Sequence, residues 1–98
     1  MTVQQIKNEN ALTIALEGRL DTMTAPELEA VLKTALEGVG ELTFDFEKLD
    51  YISSAGLRVL LAAQKTMNRQ GSMKVVHVNE IIMEIFEVTG FSDILTIG

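Results

Sequence analysis

Hydrophobic and polar residues alternate along residues 11–17 and 42–46, a period-two pattern that predicts β-strands with one buried side. In the first of these stretches leucine or isoleucine occupies every second position. The turn-forming sequence Asn8-Glu9-Asn10 precedes it and joins it to a weaker strand, so the two form a hairpin. The predicted strands cover residues 3–6, 11–17, 42–46 and 73–78, and residues 94–97 form either a short last strand or a loose tail.

Apolar residues three and four positions apart predict three helices between and after these strands. The first is the best marked, because Thr24, Pro26 and Glu27 have the form of a capping box with proline in the first turn. Glycine ends each helix, and asparagine caps the third. The predicted helices run from Thr24 to Gly38, from about residue 55 to residue 69, and from Asn79 to Gly90.

The order of these elements is β-β-α-β-α-β-α-β, which predicts an α/β fold in a single domain spanning residues 1–98. An opening hairpin followed by alternating helices and strands indicates a mixed sheet of about four to five strands, covered by three or more helices. Right-handed crossovers bring the ends of parallel strands to one edge of the sheet. We therefore expect Asp21, Asp45 and Ser54 to converge at that edge, where α/β proteins bind their ligands.

The composition narrows the function classes. The chain has 98 residues, a formal net charge of −6 and no cysteine, which rules out disulfides, thiolate metal sites and cysteine nucleophiles. The negative charge makes nucleic acid and anionic membranes poor partners, whereas a basic protein surface is a better one. The longest apolar run, residues 59–63, is too short to span a membrane, and the first residues lack a signal-peptide pattern. We expect a cytoplasmic protein without membrane insertion.

The residue patterns that accompany catalysis are missing. Ile52 stands two positions before Ser54, so there is no nucleophile elbow, and no spacing links the only histidine, His77, to Ser54. We expect His77 to be a partly buried structural residue. Glycine-rich phosphate motifs are absent, and one histidine without cysteine does not favour zinc. The sequence therefore predicts a protein that is not an enzyme and has no cofactor or metal.

The stretch from Ser53 to Leu57 is the most informative part of the chain, since it lies between a predicted strand and the start of the second helix. Backbone N–H groups at a helix start are unpaired and the helix dipole is positive there, so that position tolerates a phosphate. Phosphorylation of Ser54 would make the chain a switch rather than a catalyst. The alternative is that Ser53 or Ser54 only caps the helix.

Three segments together resemble the STAS domain family in order and spacing. They are Gly18-Arg19-Leu20-Asp21, residues 42–46, and residues 51–60 with the run I-S-S-A-G-L-R-V-L. The last segment is the most specific, and the resemblance covers nearly the whole chain. The chain is similar to stand-alone bacterial anti-sigma factor antagonists, which implies a STAS fold and a role in regulating sigma-dependent transcription.

The resemblance also implies partners and site residues. In that family a partner anti-sigma factor, which is also a serine kinase with a Bergerat-type ATP fold, phosphorylates a serine or threonine after the third strand. The unphosphorylated antagonist binds the anti-sigma factor and frees sigma; phosphorylation ends that binding, and a PP2C-type phosphatase restores it. The phosphorylated position falls on Ser54. The implied partner-binding residues are Asp21, Thr22, Asp45, Ser53, Ser54, Gly56 and Arg58.

One position departs from the family pattern and leaves alternatives open. Relatives of this kind usually carry aspartate before the phosphorylated serine; Ser53 stands there, so it is a second possible acceptor. The departure also favours a constitutive STAS subunit of a lipid transport complex or a stressosome-like particle. In that case Ser54 is a cap, and the apolar Met83 and Val88 carry the docking. A third alternative is a small hydrolase that uses Ser54 as its nucleophile, for which the sequence offers no general base.

Overall fold

The computed structural model describes the whole sequence, residues 1–98, as four strands, three α-helices and one short 3₁₀ helix. The strands are β1 (Thr2–Asn8), β2 (Ala11–Leu20), β3 (Glu41–Ile52) and β4 (Ser72–Val76). The helices are α1 (Ala25–Ala35), α2 (Ser54–Gln70) and α3 (Glu80–Thr89), followed by the 3₁₀ helix Phe91–Asp93. None of the three α-helices has both the length and the apolar surface that a membrane span requires.

The four strands form one sheet in the order β1-β2-β3-β4. β1 runs antiparallel to β2, as expected for a hairpin, and the other two pairs are parallel because a helix crosses over between their strands. This confirms the predicted mixed sheet of an α/β fold. Residues 94–97 do not add a fifth strand, since Ile97 makes only one isolated bridge to Val75.

β3 is longer than the alternation predicts, and its pairing with β2 shifts twice, first at a bulge between Asp45 and Lys48 and again between Leu49 and Tyr51. The pairing moves from Ala15 opposite Asp45 to Glu17 opposite Lys48, so β3 uses one residue more than β2 over this stretch. Glu47 and Lys48 are consequently both exposed, and the alternation breaks there. The prediction that this strand ends at residue 46 is wrong, because the strand continues past the bulge to the edge where α2 begins.

All three α-helices pack on one face of the sheet, where they share a core of 24 buried hydrophobic residues. Every second strand residue faces this core, which is why alternation identified the strands. Burying a large apolar side chain contributes roughly 1.5–3 kcal/mol to folding. The other face of the sheet is open and mostly polar. Fully buried members of the core include Ile14, Phe44, Leu28, Leu60 and Phe86.

The two predicted side-chain caps have different outcomes. Thr24 is the N-cap residue of α1, but its hydroxyl makes no cap bond. The hydroxyl instead accepts the N–H of Asp21 at 2.9 Å and donates to the carbonyl oxygen of Arg19 at 2.8 Å, so the predicted capping box is wrong. Asn79 does cap α3, because its Oδ1 accepts the N–H of Ile82 at 2.8 Å.

Candidate functional site

The loops that follow β2 and β3 meet at one edge of the sheet. The backbone N–H of Ser53 donates to the carbonyl oxygen of Leu20 at 2.9 Å, which joins the end of one strand to the end of the other. Asp21 comes directly after β2, and Ser54 opens α2 directly after Ser53. The structure therefore places Asp21 and Ser54 at the same edge, as right-handed crossovers predict.

Ser54 is accessible, whereas the hydroxyl of Ser53 is not. Ser54 is the exposed first residue of α2, while the Ser53 Oγ is buried and has no hydrogen-bond partner. Ser53 occupies the N-cap position through its backbone: its carbonyl oxygen accepts the N–H of Leu57 at 2.9 Å, but its side chain caps nothing. In this conformation an enzyme can reach the Ser54 hydroxyl without opening the fold, and it cannot reach that of Ser53.

The start of α2 offers backbone N–H groups to an anion. The N–H groups of Ser54, Ala55 and Gly56 precede the first intrahelical hydrogen bond, which Leu57 makes. The first turn contains no acidic residue that would complement the positive end of the helix dipole. Arg58 lies exposed one turn further along. A phosphate on Ser54 would therefore enter a favourable electrostatic environment without rearrangement of the helix.

Gly56 is buried beneath the helix start, and its role is in packing. A Cβ atom at this position would lie 2.7 Å from the Cγ of Leu20 and 2.8 Å from the Cγ1 of Ile52. Only glycine lets the first turn of α2 approach the ends of β2 and β3 this closely. The structure thus gives Gly56, a predicted partner-binding residue, an indirect part in the site, because it positions Ser54.

Asp21 closes a turn with its own side chain. Its Oδ1 accepts the backbone N–H groups of Met23 at 3.0 Å and Thr24 at 3.2 Å, and the Thr24 hydroxyl oxygen lies 3.2 Å from it. Its Oδ2 lies 3.7 Å from the Nε of Arg19. Partial desolvation raises the pKa of Asp21, but these hydrogen bonds and the charge of Arg19 outweigh it and hold the pKa below its usual value. The carboxylate is ionised and held in one orientation.

Three residues around Asp21 add features that the sequence analysis did not assign. The guanidinium carbon of Arg19 lies 4.5 Å from the ring centre of Tyr51, its partner across the β2/β3 pairing. The Arg19 side chain is 60% exposed, and Met23 is 84% exposed. Arginine, tyrosine and methionine are enriched at protein interfaces, so this edge has the composition of a binding surface. The Arg19–Tyr51 contact depends on strand register, whereas an exposed methionine beside Asp21 could have been suspected from its polar neighbours.

A groove between α1 and α2 opens at the same edge. Thr22 and Arg58, both predicted partner-binding residues, line a cavity of about 180 Å³ there. It shares Glu29 and Val59 with a larger cavity of about 430 Å³ that follows the two helices toward their ends. Thr22 and Arg58 therefore accompany Asp21 and Ser54, and a partner bound at this edge can extend along the groove.

Asp45 does not join this edge, so the predicted convergence is wrong for this residue. It pairs with Ala15 and Val76 in the middle of the sheet, and the remaining length of β3 separates it from Ser53 by roughly 20 Å at ~3.3 Å per residue. The sequence neighbours of Asp45 are buried in the core, so its side chain points to the open face. The bulge and the longer β3 account for the difference.

Asp45 instead contacts His77, which follows β4. The Nδ1 of His77 lies 2.9 Å from the Oδ1 of Asp45. This hydrogen bond is the main reason why the pKa of Asp45 is lowered and the pKa of His77 is raised. The prediction that His77 is partly buried is wrong, because its side chain is 59% exposed. The one histidine of the chain is thus engaged away from Ser54 and does not act on its hydroxyl.

Sequence comparison connects the chain to known proteins. The family described as Mlab, STAS domain matches residues 3–96. BtrV of Bordetella bronchiseptica, which carries the name of an anti-sigma factor antagonist, is 33% identical over 100 residues that cover 100% of this chain and 86% of BtrV. The anti-sigma-B factor antagonist of Bacillus subtilis is 30% identical over 94% of this chain and 85% of that protein.

Solved structures share the fold. The anti-sigma factor antagonist SpoIIAA in its unphosphorylated form has a TM-score of 0.78 at 19% identity, covering 99% of this chain and 87% of SpoIIAA. An anti-sigma-factor antagonist (STAS) domain protein from Planctomyces limnophilus has a TM-score of 0.88 at 15% identity, covering 97% and 87%. At these identities the likeness concerns the fold, while the family match extends over almost the entire sequence. This chain belongs to the STAS domain family.

Proposed function

We propose that this chain is an anti-sigma factor antagonist whose binding to its partner is controlled by phosphorylation of Ser54. The observation that carries the proposal is an exposed hydroxyl on the first residue of α2, at an edge shared with the ionised Asp21. Two further facts support it. Relatives with this name match the chain over its length, and SpoIIAA, which has the same fold, is known in unphosphorylated and phosphorylated forms.

The covalent step needs only an accessible hydroxyl from this chain. We assign the phosphoryl donor to ATP bound to the partner, an anti-sigma factor that is also a serine kinase of the Bergerat type. The Ser54 oxygen bonds to the γ-phosphorus, the bond from that phosphorus to the β-phosphate oxygen breaks, ADP leaves, and the hydroxyl proton passes to a base of the kinase. A PP2C-type phosphatase removes the phosphate by hydrolysis and restores the serine.

The phosphate changes the interface and leaves the fold intact. It adds about −1.5 to −2 charges at neutral pH, and the N–H groups at the start of α2, with Arg58 nearby, accommodate that charge. A partner shaped for a neutral serine beside Asp21 meets a dianion instead. The expected loss in binding is about 2–5 kcal/mol, the range found when buried interfacial charge pairs are broken. Since about 1.4 kcal/mol changes affinity tenfold, this is enough for a switch.

The apolar surface of α3 favours a second function, a constitutive subunit of a larger assembly. Ile81 is 59% exposed and Val88 is 80% exposed on one side of α3, and Met83 is half-buried on another side. Such a surface suits permanent docking, for example in a lipid transport complex or a stressosome-like particle. In that case Ser54 only begins α2. Copurification with a transporter ATPase that is unaffected by Ser54→Asp would support this function over the switch.

Phosphosite mapping tests the proposed switch directly. The protein is isolated from its own cells during growth and under stress, and the peptide that contains Ser53 and Ser54 is analysed by mass spectrometry. We expect phosphate on Ser54 in an amount that changes with the condition, and none on the buried Ser53 hydroxyl. A complete absence of phosphate under every condition would overturn the switch and favour the constitutive subunit.

Measuring the affinity of the anti-sigma factor for variants of Ser54 separates the effect of charge from the effect of losing the hydroxyl. We expect Ser54→Ala to bind like the wild type, and Ser54→Asp to bind at least about tenfold more weakly because of its negative charge. Ser72→Asp is the matched control, because Ser72 is exposed at the start of β4, where the parallel strands begin, away from Ser54. Equal binding by Ser54→Ala and Ser54→Asp in calorimetric titrations would contradict the proposal.

A further inference from the structure

The open face of the sheet carries a cluster of three residues that can ligate metal, away from the edge that contains Ser54. Asp45 and Glu47 lie on β3, and His77 follows directly after β4, where Val76 pairs with Asp45. Asp45 and His77 are 32 positions apart in the sequence. One histidine and no cysteine predict no metal site from the sequence, because the strand pairing that joins this histidine to two carboxylates leaves no mark in the sequence.

The distances between the ligand atoms are close to those of a metal site. His77 Nδ1 lies 2.9 Å from Asp45 Oδ1 and 3.9 Å from Glu47 Oε2, and one ligand atom of each residue lies within 4.8 Å of the others. Tetrahedral coordination with metal–ligand bonds of about 2.0–2.1 Å separates neighbouring ligand atoms by about 3.3 Å. The two distances from Nδ1 bracket that separation, so small side-chain adjustments would complete the geometry.

The surroundings of the cluster also suit a cation. The backbone N–H of Glu47 donates to Asp45 Oδ1 at 3.0 Å and orients this carboxylate, as outer hydrogen bonds do in metal sites. The adjoining groove of about 240 Å³ is lined by three carboxylates, those of Glu17, Asp45 and Glu47, against one ammonium group, that of Lys48. The side chains of His77 and Glu47 are 59% and 69% exposed, which leaves room for water as a further ligand.

We propose that Asp45, Glu47 and His77 form a surface binding site for a divalent transition metal ion of the zinc type. One imidazole nitrogen with two carboxylate oxygens favours such an ion over magnesium or calcium, which prefer oxygen ligands alone. The site is separate from the proposed switch, because roughly 20 Å of β3 lies between Asp45 and the start of α2.

Calorimetric titration of the tag-free protein with ZnCl₂ tests this site. We expect saturable binding of one Zn²⁺ ion by the wild type, and affinity that is at least about tenfold weaker in Asp45→Asn and in His77→Asn. Asparagine is chosen for position 77 because the backbone φ there is +58°, a conformation that asparagine tolerates. Glu84→Gln, which removes an exposed carboxylate from α3, is the matched control and should bind Zn²⁺ like the wild type.

Two calorimetric results would overturn the site. One is no saturable binding of Zn²⁺ by the wild type; the other is equal Zn²⁺ affinity in the wild type and in a His77→Asn variant whose circular dichroism spectrum shows a native fold. NMR gives a second readout, since Zn²⁺ should shift the imidazole resonances of His77 while MgCl₂ leaves them in place. Shifts of equal size with both ions would also contradict a site that depends on the imidazole nitrogen.

Discussion

Gly56 packs against Leu20 so closely that a Cβ atom on Gly56 would lie 2.7 Å from the Leu20 Cγ. The carbonyl oxygen of the same leucine accepts the N–H of Ser53 at 2.9 Å. The start of α2 and the loop before it are therefore fixed against one residue of β2. Because Asp21 follows Leu20 directly, this contact also sets where the Ser54 hydroxyl stands relative to the Asp21 carboxylate.

Replacement of Gly56 by alanine should lower the free energy of unfolding by about 1–3 kcal/mol, because the added methyl group overpacks against Leu20 and Ile52. Without a clash, the same change inside a helix would raise stability by about 1 kcal/mol. The sign of the change in urea-induced unfolding is therefore decisive. Stability equal to that of the wild type, or higher, would contradict the close packing at this position.

Ser53 and Asn79 both stand at helix starts, but replacing each by alanine should change stability by different amounts. Ser53→Ala is expected to change stability by less than about 0.5 kcal/mol or to increase it, since the buried Ser53 hydroxyl makes no hydrogen bond. Asn79→Ala should cost about 1–2 kcal/mol, because it removes the bonds to the N–H of Ile82 and to the carbonyl oxygen of Leu49. Thermal unfolding of both variants provides the comparison, and equal losses would show that the Ser53 hydroxyl does cap α2.

Asp21 has a structural role and a charge, and two substitutions separate them. Asparagine keeps an Oδ1 that accepts the N–H groups of Met23 and Thr24, so Asp21→Asn should keep the turn, lose only the stability that the charge contributes, and bind the partner differently. Asp21→Ala loses the turn as well and should unfold at lower urea concentration. If both variants unfolded together with the wild type, the side-chain hydrogen bonds of Asp21 would contribute nothing to stability.

The lowered pKa of Asp21 predicts a pH dependence with a defined sign. A carboxyl group whose pKa is lower in the folded state contributes stability above its ordinary pKa of 3.8 and loses that contribution as the pH falls through the folded-state value. The difference in stability between the wild type and Asp21→Asn should therefore be constant near neutral pH and shrink below about pH 4. Thermal unfolding of both proteins across this range measures it, and a difference that grows in acid would reverse the assigned sign.

Aspartate at position 54 should preserve the fold. It places a negative charge at the positive end of α2, whose first turn holds no acidic residue, so we expect a gain of about 0.3–1 kcal/mol at low ionic strength. Ser54→Lys should lose a similar amount. Urea titrations of both variants test this effect. A destabilised Ser54→Asp would mean that any loss of partner binding in that variant reflects unfolding and not charge.

Alternation made the core strands predictable, because every second residue between Leu12 and Leu16 enters one buried face. No comparable pattern in the sequence indicates the bulge in β3. Its two exposed residues, Glu47 and Lys48, look the same in sequence as the end of a strand. The alternation therefore places Asp45 near the end of its strand, although it lies in the middle of β3. The order of elements up to α3 was correct because a bulge changes strand pairing and leaves chain topology unaltered.

The site was predictable where a residue directly follows a strand, as Asp21 follows β2, and where a helix begins, as at Ser54. Competing local hydrogen bonds were not predictable. The Thr24 hydroxyl matched a helix cap, yet it bonds to the turn that Asp21 closes. His77 adopts a positive φ that few residues other than glycine take, and no neighbouring residue indicates it.

The Ser53–Leu20 hydrogen bond, with Gly56 packed behind it, ties the start of α2 to the end of β2. On the proposed function, the phosphate on Ser54 is then the only lasting record of a past stimulus, because the shape of the protein does not change. The duration of a response is set by the relative speeds of the enzymes that add and remove that phosphate. Once the phosphate is gone, the chain is ready to bind again without any refolding delay.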